Sequence, residues 1–395
     1  MMGMPALCLS CLALIAVLYT SLALALTLLG ARRGPHRASR ADGGALPGVS
    51  VLKPLHGLEP RLLENLRAVC RQDYPRFELV LGVERPDDPA LAVVQALRTE
   101  GGACPVRLST RAAGGGENPK VRNLAGMLPL ARYDVLLLTD ADTSIDPDFL
   151  RDVVAPLEDS RVGAVTCLYQ GVPADGALWT ELLTAFVNGF FIPAVRVGSL
   201  GRKSAYGLGA AILVRRAVLD RLGGLDAFSD HLSDDFLLAR GVERCGLRVA
   251  LGRPLVRTSV AEASLGEAWD HLVRWMHASR VARPWGFTLS VVMYPVALSA
   301  LALLFGAGAV GGLLLGLGFL LRLALLWRQD RGILPVARLP LWAVAVDLLA
   351  CAAWAKSVVT RDVRWHGRRY RLGPGGRMRL RQPGPPVGGA SARRR

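Results

Sequence analysis

Asp134-Val-Leu-Leu-Leu-Thr-Asp140-Ala-Asp142 is the stretch that decides the fold. Its run Val135-Leu-Leu-Leu138, bounded by polar residues, reads as a strand buried on both faces, as at the centre of a parallel sheet. Asp140 and Asp142 follow at its carboxyl end, where open α/β sheets place their ligands. Oxygen ligands at i and i+2 suit a hard divalent cation, Mg2+ or Mn2+, that keeps some of its waters and also holds phosphates. The plainer alternative is a solvated strand end, because Asp is common in turns.

The flanking segments supply the rest of such a sheet. Val49-Ser-Val-Leu52, Phe77–Val83 and Val106-Arg-Leu-Ser109 have strand patterns. Between them, Glu59–Cys70 places Leu62, Leu63, Leu66 and Val69 on one helical face, and Ala90–Arg98 forms a second helix. The β-α-β-α-β order predicts a parallel, nucleotide-binding half-domain. No GxGxxG follows the first strand and no GxxxxGK[ST] occurs, so dinucleotide and P-loop readings lose their main support. A glycine-rich loop at 112–120 then leads into a helix from Val121 to Leu128. Val162–Thr166 and the stretch from Ala205 to Val214 read as further strands, the latter after a tight glycine turn. Residues 176–195 are apolar and helical, but Glu181 and Asn188 interrupt them. They are expected to line an acceptor site or the membrane surface rather than to cross it.

The 395 residues are 51% hydrophobic and carry a formal charge of +16. Long apolar runs beside basic charge point to an anionic lipid bilayer as partner. Nucleic acid is not expected, since no binding module accompanies the charge. The seven cysteines form no zinc-type set and read as small apolar fillers. Ala6–Leu29 is long enough to cross a bilayer, and no basic residue precedes it as in a cleaved signal peptide. Arg32, Arg33, His36, Arg37 and Arg40 follow, so the positive-inside tendency puts the next domain in the cytoplasm. Gly286–Phe305, Gly308–Trp327 and Leu339–Val359 are later apolar runs. Three crossings there would send the arginine-rich tail outside. The expectation is that two cross and that 339–359, which holds Asp347 and Lys356, is re-entrant or interfacial. The predicted organisation is an anchor at 1–30, a basic linker at 31–48, a cytoplasmic catalytic domain at 49–283, a membrane region at 284–360, and a basic, largely disordered tail at 361–395.

Two further polar clusters carry chemistry. Asp234 and Asp235 open a helix, where the macrodipole favours anions and where simple N-capping is the alternative. His271, Arg274 and Trp275 share one helical face at i, i+3 and i+4, and an interfacial helix anchored by Trp and Arg is compatible with that. Together these parts fit glycosyl transfer from a nucleotide-diphosphate sugar. A cation at Asp140 and Asp142 neutralises the diphosphate, Asp235 accepts the proton of an attacking hydroxyl, and Arg274 offsets charge on the leaving group. Apolar spans beside the site make the acceptor a membrane lipid.

The motifs resemble those of family 2, GT-A fold, inverting glycosyltransferases of the ceramide glucosyltransferase-like group, and most closely its bacterial hopanoid-associated members. The resemblance runs from Val49-Ser-Val-Leu-Lys-Pro-Leu-His-Gly57 through Asn118-Pro-Lys-Val-Arg-Asn123, Asp140-Ala-Asp142, Ser233-Asp-Asp235-Phe and His271-Leu-Val-Arg-Trp275 to Trp365-His-Gly-Arg-Arg-Tyr370. It implies an α/β GT-A fold with membrane helices at both ends. It implies metal binding by Asp140 and Asp142, and Asp235 as catalytic base beside Asp234. It implies donor contacts from Lys53, Asp88, Lys120, Asp140, His271, Arg274 and Trp275. The main expectation is transfer of N-acetylglucosamine from a UDP-sugar donor to a hopanoid, in a bacterial inner membrane. Ceramide glucosylation with UDP-glucose is the alternative, and a non-catalytic membrane scaffold a distant one.

Overall fold

The computed structural model describes residues 3–31, 46–102, 104–202, 204, 206–330, 332–365 and 367–382. Most of the expected basic linker, and the tail beyond 382, lie outside them. The chain divides into a sheet unit, Arg37–Tyr169 with Arg202–Ser259 and Asp362–Arg395, and a helical unit, Met1–His36 with Gln170–Gly201 and Val260–Arg361.

Thirteen strands occur among the described residues. They are β1 Val49–Leu55, β2 Phe77–Val83, β3 Val106–Ser109, β4 Val135–Thr139, β5 Thr143–Ser144, β6 Val162–Thr166, β7 Tyr169–Pro173, β8 Ala211–Arg215, β9 Arg248–Leu251, β10 Val256–Val260, β11 Asp362–Trp365, β12 Arg368–Leu372 and β13 Met378–Gln382. The main sheet has the order β3-β2-β1-β4-β8-β6-β9. Strands β1 to β4 run parallel, whereas β8 is antiparallel to both β4 and β6. Side chains alternate across β4: Val135 and Leu137 join Leu66, Leu81 and Phe149 on one face, and Leu136 and Leu138 join Leu124, Ile212 and Leu238 on the other. The strand has no polar alternate because neither face meets water. Each fully buried leucine contributes roughly 1.5–3 kcal/mol.

Strand β5 has two residues and no local pattern of its own. It exists through pairing with β10, Thr143 opposite Thr258 and Ser144 opposite Arg257. Strands β11 to β13 form an antiparallel meander where the sequence predicts a largely disordered tail. Val363, Tyr370, Leu372 and Met378 are buried on one face of it, which gives this arginine-rich stretch a core. The segment leading to β13 also bonds to the sheet unit. Leu232 N–H donates to Gly376 O at 3.1 Å and Met378 N–H to Asp230 O at 2.6 Å.

In the helical unit, helix Met4–Ala31 packs Ala13, Ala16 and Val17 against Leu298 and Leu314, and Ala6 against Ala302 and Ala307. Small residues at such contacts let helix backbones approach closely. Four stretches are long and apolar enough to cross a membrane: Met4–Leu29, Leu178–Gly198, Gly308–Asp330 and Val336–Val359. A fifth candidate, Pro284–Met293 with Pro295–Leu304, is bent by 67°. Sheet pairing limits which can cross. Strands β6 and β8 flank Leu178–Gly198 in sequence and pair with each other, so a single crossing there would split the sheet across a bilayer. Likewise β10 and the meander belong with one sheet unit, so residues 260–361 hold an even number of crossings.

Helix continuity bears on the 339–359 stretch. Leu339–Val359 is one unbroken helix, and the break falls at Met293–Pro295 instead. Asp347 is not exposed to lipid. It accepts from Arg322 Nε at 3.1 Å and from the Ala297 N–H at 2.9 Å, an otherwise orphan donor in the first turn of Pro295–Leu304. Arg322 also donates to the carbonyls of Gly189 and Met293 and lies 3.5 Å over the Phe190 ring. Gly189 belongs to a π-helical turn, Val187–Phe191, whose wider winding frees carbonyls for such bonds. Lys356 lies 5.2 Å over the Trp269 ring.

Removing one partner of this buried pair leaves the other uncompensated. Arg322→Met is expected to cost about 3–5 kcal/mol, read as a lower thermal midpoint in detergent. Adding Asp347→Leu to that variant should recover at least part of the loss.

Candidate active site

The Asp140–Thr143 turn is held from β1. Lys53 is wholly buried, and its ammonium donates to Asp140 O, to Thr143 O at 3.0 Å and to Thr143 Oγ1 at 2.8 Å. Burial lowers it to about 8, against the opposing pull of Asp142 and Asp140. All three ammonium hydrogens are spent inside the protein. Lys53 therefore ties the turn to β1. Thr139 Oγ1 donates to Ala210 O at 2.8 Å and fastens the end of β4 to the chain entering β8.

Lys120 lies in the first turn of helix Pro119–Met127 and bridges Asp140 Oδ1, at 2.5 Å, to Gly209 O, at 3.3 Å. Burial opposes its charge, but Asp140 and Asp234 hold it above the ordinary lysine value. Asp142 is different. Its Oδ1 is buried with no hydrogen-bond partner in the protein. Burial, then Asp140, pushes its carboxyl up to about 7. Glu59, partly buried nearby, is pushed up to about 8 by burial and by Asp142 and Asp140. An orphaned carboxylate oxygen beside a second carboxylate fits a hard cation. Among the described residues no three metal-ligating side chains converge. A cation at Asp140 and Asp142 would complete its shell with phosphate and water, as Mg2+ commonly does. Asp88 is buried, and its Oδ1 accepts from Gly57 N–H at 3.0 Å and Ala90 N–H at 2.9 Å. It ties the loop after β1 to the start of helix Ala90–Thr99.

Asp234 and Asp235 occupy the first turn of helix Asp234–Arg244. Burial, then Asp234, pushes Asp235 up to about 7, and burial also raises Asp234. Two glycines admit Asp235. A Cβ at Gly207 would fall 2.0 Å from Asp235 O, and one at Gly209 would lie 3.2 Å from Asp235 Oδ2 and 3.4 Å from Lys120 Nζ. Lys120 thus stands between the Asp140 turn and the Asp235 carboxylate. Asn118 supports both sides. Its Oδ1 accepts from Val121 N–H as an N-cap, and its Nδ2 donates to His231 O at 2.7 Å and Asp234 Oδ1 at 3.4 Å. Arg377 reaches Asp230 Oδ2 at 3.5 Å, adding an ion pair to the backbone bonds of the meander.

Within the sheet unit the structure gathers Lys53, Lys120, Asp140, Asp142, Asp234 and Asp235 at one end of the sheet. The sequence reading gave no site role to Glu59, Asn118, Asp230, Arg377 or the two glycines. Asn118 was discoverable, since Asn before Pro is a helix-start signal. The pairing of Arg377 with Asp230 spans 147 residues (377 − 230) and leaves no local trace.

His271, Arg274 and Trp275 belong to the helical unit, on helix Leu265–Ala282. The His271 and Trp275 ring centroids are 4.1 Å apart, and Trp275 stacks on Phe186 at 5.6 Å. His271 Nδ1 lies 2.7 Å from Glu262 Oε1. Burial pushes Glu262 up to about 7 and His271 well below its ordinary value, in each case with Arg274 as the nearby charge. Glu262 was not anticipated. It shares a small polar island with His271 and Arg274 beside an aromatic wall.

The chain belongs to glycosyl transferase family 21, whose family model matches residues 8–378. The motifs had pointed to family 2. Ceramide glucosyltransferase 1 of Caenorhabditis elegans is 24% identical over 351 residues, 85% of this chain and 73% of that protein. Ceramide glucosyltransferase 3 of the same organism is 22% identical over 240 residues, and the chain spans about half its length, 51%. Among solved structures, a mannosyltransferase from Pyrobaculum calidifontis in complex with GDP-Man and Mn2+ covers 88% of this chain and 99% of its own, at 21% identity and a TM-score of 0.49. The protein is thus a family 21 glycosyltransferase, and its sheet unit is α/β as expected.

Gly207→Ala is expected to destabilise by about 1–3 kcal/mol through overpacking, measured as a lowered thermal midpoint. Gly176→Ala serves as control, because a Cβ there meets nothing within 4 Å.

Proposed function

We propose that this chain transfers glucose from UDP-glucose to a hydroxyl of a ceramide-type lipid, with inversion at the sugar carbon. The carrying observation is the Lys120 ammonium, set between Asp140 of the metal-type turn and the partly buried Asp235. Family membership and the names of the relatives support the substrate classes. The hopanoid acceptor and N-acetylglucosamine donor expected from motif detail have no counterpart among those relatives, so the ceramide alternative is preferred.

The chemistry follows from named atoms. The Asp235 carboxylate accepts the proton of the acceptor hydroxyl as its oxygen attacks C1, and the bond to the UDP oxygen breaks. Lys120 offsets negative charge on the diphosphate from the donor side. Asp140 and Asp142 would hold Mg2+ or Mn2+, which when bound would supply further neutralisation of the diphosphate. Asp88 keeps the loop after β1 in place beside the donor. Within the helical unit, Arg274 and His271 offer hydrogen-bond donors and Trp275 an apolar wall.

The same proposal sets a topology. Met4–Leu29, Gly308–Asp330 and Leu339–Val359 cross the membrane, while Leu178–Gly198 and the bent 284–304 stretch enter and return. The arginines after the first span place the catalytic unit in the cytoplasm, with a bacterial inner membrane as the setting.

The deciding experiment is mass spectrometry of the lipid product. Ceramide and hopanoid acceptors are each offered with UDP-glucose and UDP-N-acetylglucosamine. Glucosylceramide as the main product is expected, and a hopanoid product or none overturns the assignment. Asp235→Asn should lower turnover by about 10²–10⁴-fold with UDP-sugar affinity retained, and unchanged turnover would sink the base assignment. Because only the ionised carboxylate accepts a proton and Asp235 titrates at about 7, the rate should fall as pH drops below that value. An acid limb near pH 4 would argue for another base.

A further inference from the structure

Seven arginines and one carboxylate, Asp362, lie between residues 362 and 382. The meander sorts them by strand alternation. Val363, Tyr370, Leu372 and Met378 turn inward and are buried. Arg364, Arg369, Arg371 and Arg379 are exposed on the other face. The strand register then sets like charges directly opposite one another: Arg364 faces Arg369, and Arg371 faces Arg379. Asp362 faces Arg371 from the other side and is the only acid in the sheet. Directly opposed like charges destabilise an antiparallel pair. An anion bridging the guanidinium groups, which offer forked donors to phosphate, offsets that repulsion.

Covalent geometry limits where this face can be. Helix Leu339–Val359 ends three residues before Asp362, and three residues span at most about 11 Å. The chain thus passes within three residues from a helix long and apolar enough to cross a membrane to the basic sheet.

We propose that the arginine face of the meander is a docking surface for anionic phospholipid headgroups. It sharpens the anionic-bilayer expectation to named residues. It rests on the membrane topology proposed above, not on the identity of sugar or acceptor. Bridging by headgroup phosphates relieves the cross-strand repulsion and steadies the strands. The segment entering β13 bonds to Asp230 and Leu232, immediately before Asp234. Steadying the meander thereby steadies the entry to the helix that carries Asp235.

The test uses full-length protein in nanodiscs of phosphatidylcholine alone or with phosphatidylglycerol, and reads hydrogen exchange over residues 362–382. Severalfold slower exchange with phosphatidylglycerol is expected. Arg364→Gln/Arg369→Gln/Arg371→Gln/Arg379→Gln should lose the difference, and the corresponding four Lys substitutions should keep most of it. Identical exchange of the wild-type protein in both nanodiscs would overturn the proposal, whether or not the glutamine variant folds. Slowing in phosphatidylcholine by inorganic phosphate alone would mark a free-anion site, and slowing by a short single-stranded RNA a nucleic-acid surface; either result also overturns it. Lost glycosyl transfer with lipid-dependent protection intact strikes the proposed function alone, and the converse strikes this surface alone.

Discussion

The buried ammonium of Lys53 is the contact on which the candidate site depends. A charged group removed from water costs several kcal/mol unless it is paired and fully hydrogen-bonded. Here three acceptors on the Asp140–Thr143 turn satisfy it, with the carboxylates of Asp140 and Asp142 close by. The lysine comes from β1 and the turn from the end of β4, its neighbour in the sheet. The position of the two aspartates is thus fixed by strand pairing as well as by the local chain. The conformation of an exposed turn has been made part of a core.

Around that tie the acids outnumber the bases. Glu59, Asp142, Asp234 and Asp235 are raised by burial and by neighbouring carboxylates, with Lys53 and Lys120 as opposing charges. Mutual repulsion and burial leave several of these carboxyls titrating near neutrality. Such an excess of negative charge suits a site that takes up a dication together with an anionic donor. The helical unit has a different economy. Its Arg322–Asp347 pair satisfies every group it touches, and it joins a π turn, a broken helix and two long helices.

How much was legible follows from where the determining contacts lie. The four-residue apolar run of β4 announced a strand buried on two faces, because alternation fails only when both faces are dry. The acids at its end were visible for the same reason: polar residues beside such a run have few other places to be. Lys53 was visible as a motif residue but not in its role, which depends on Thr143 across the sheet. In the 339–359 stretch the sequence shows Asp347 but not its partners. Its partner lies 25 residues earlier, and its second donor is a backbone amide made available by Pro295. The meander was missed because its arginines dominate the composition, while four alternating inward residues carry the fold.

The path of the chain has a temporal consequence. The loop before Asp234 receives two backbone hydrogen bonds and an ion pair from residues 376–378. Those residues leave the ribosome after every long apolar helix of the chain has been made. A nascent chain emerging from its N-terminus can pair the main sheet early, yet the entry to the helix bearing Asp235 stays without its last partners until the final strand arrives. Completion of the site is thus deferred until residues 376–378 have been made.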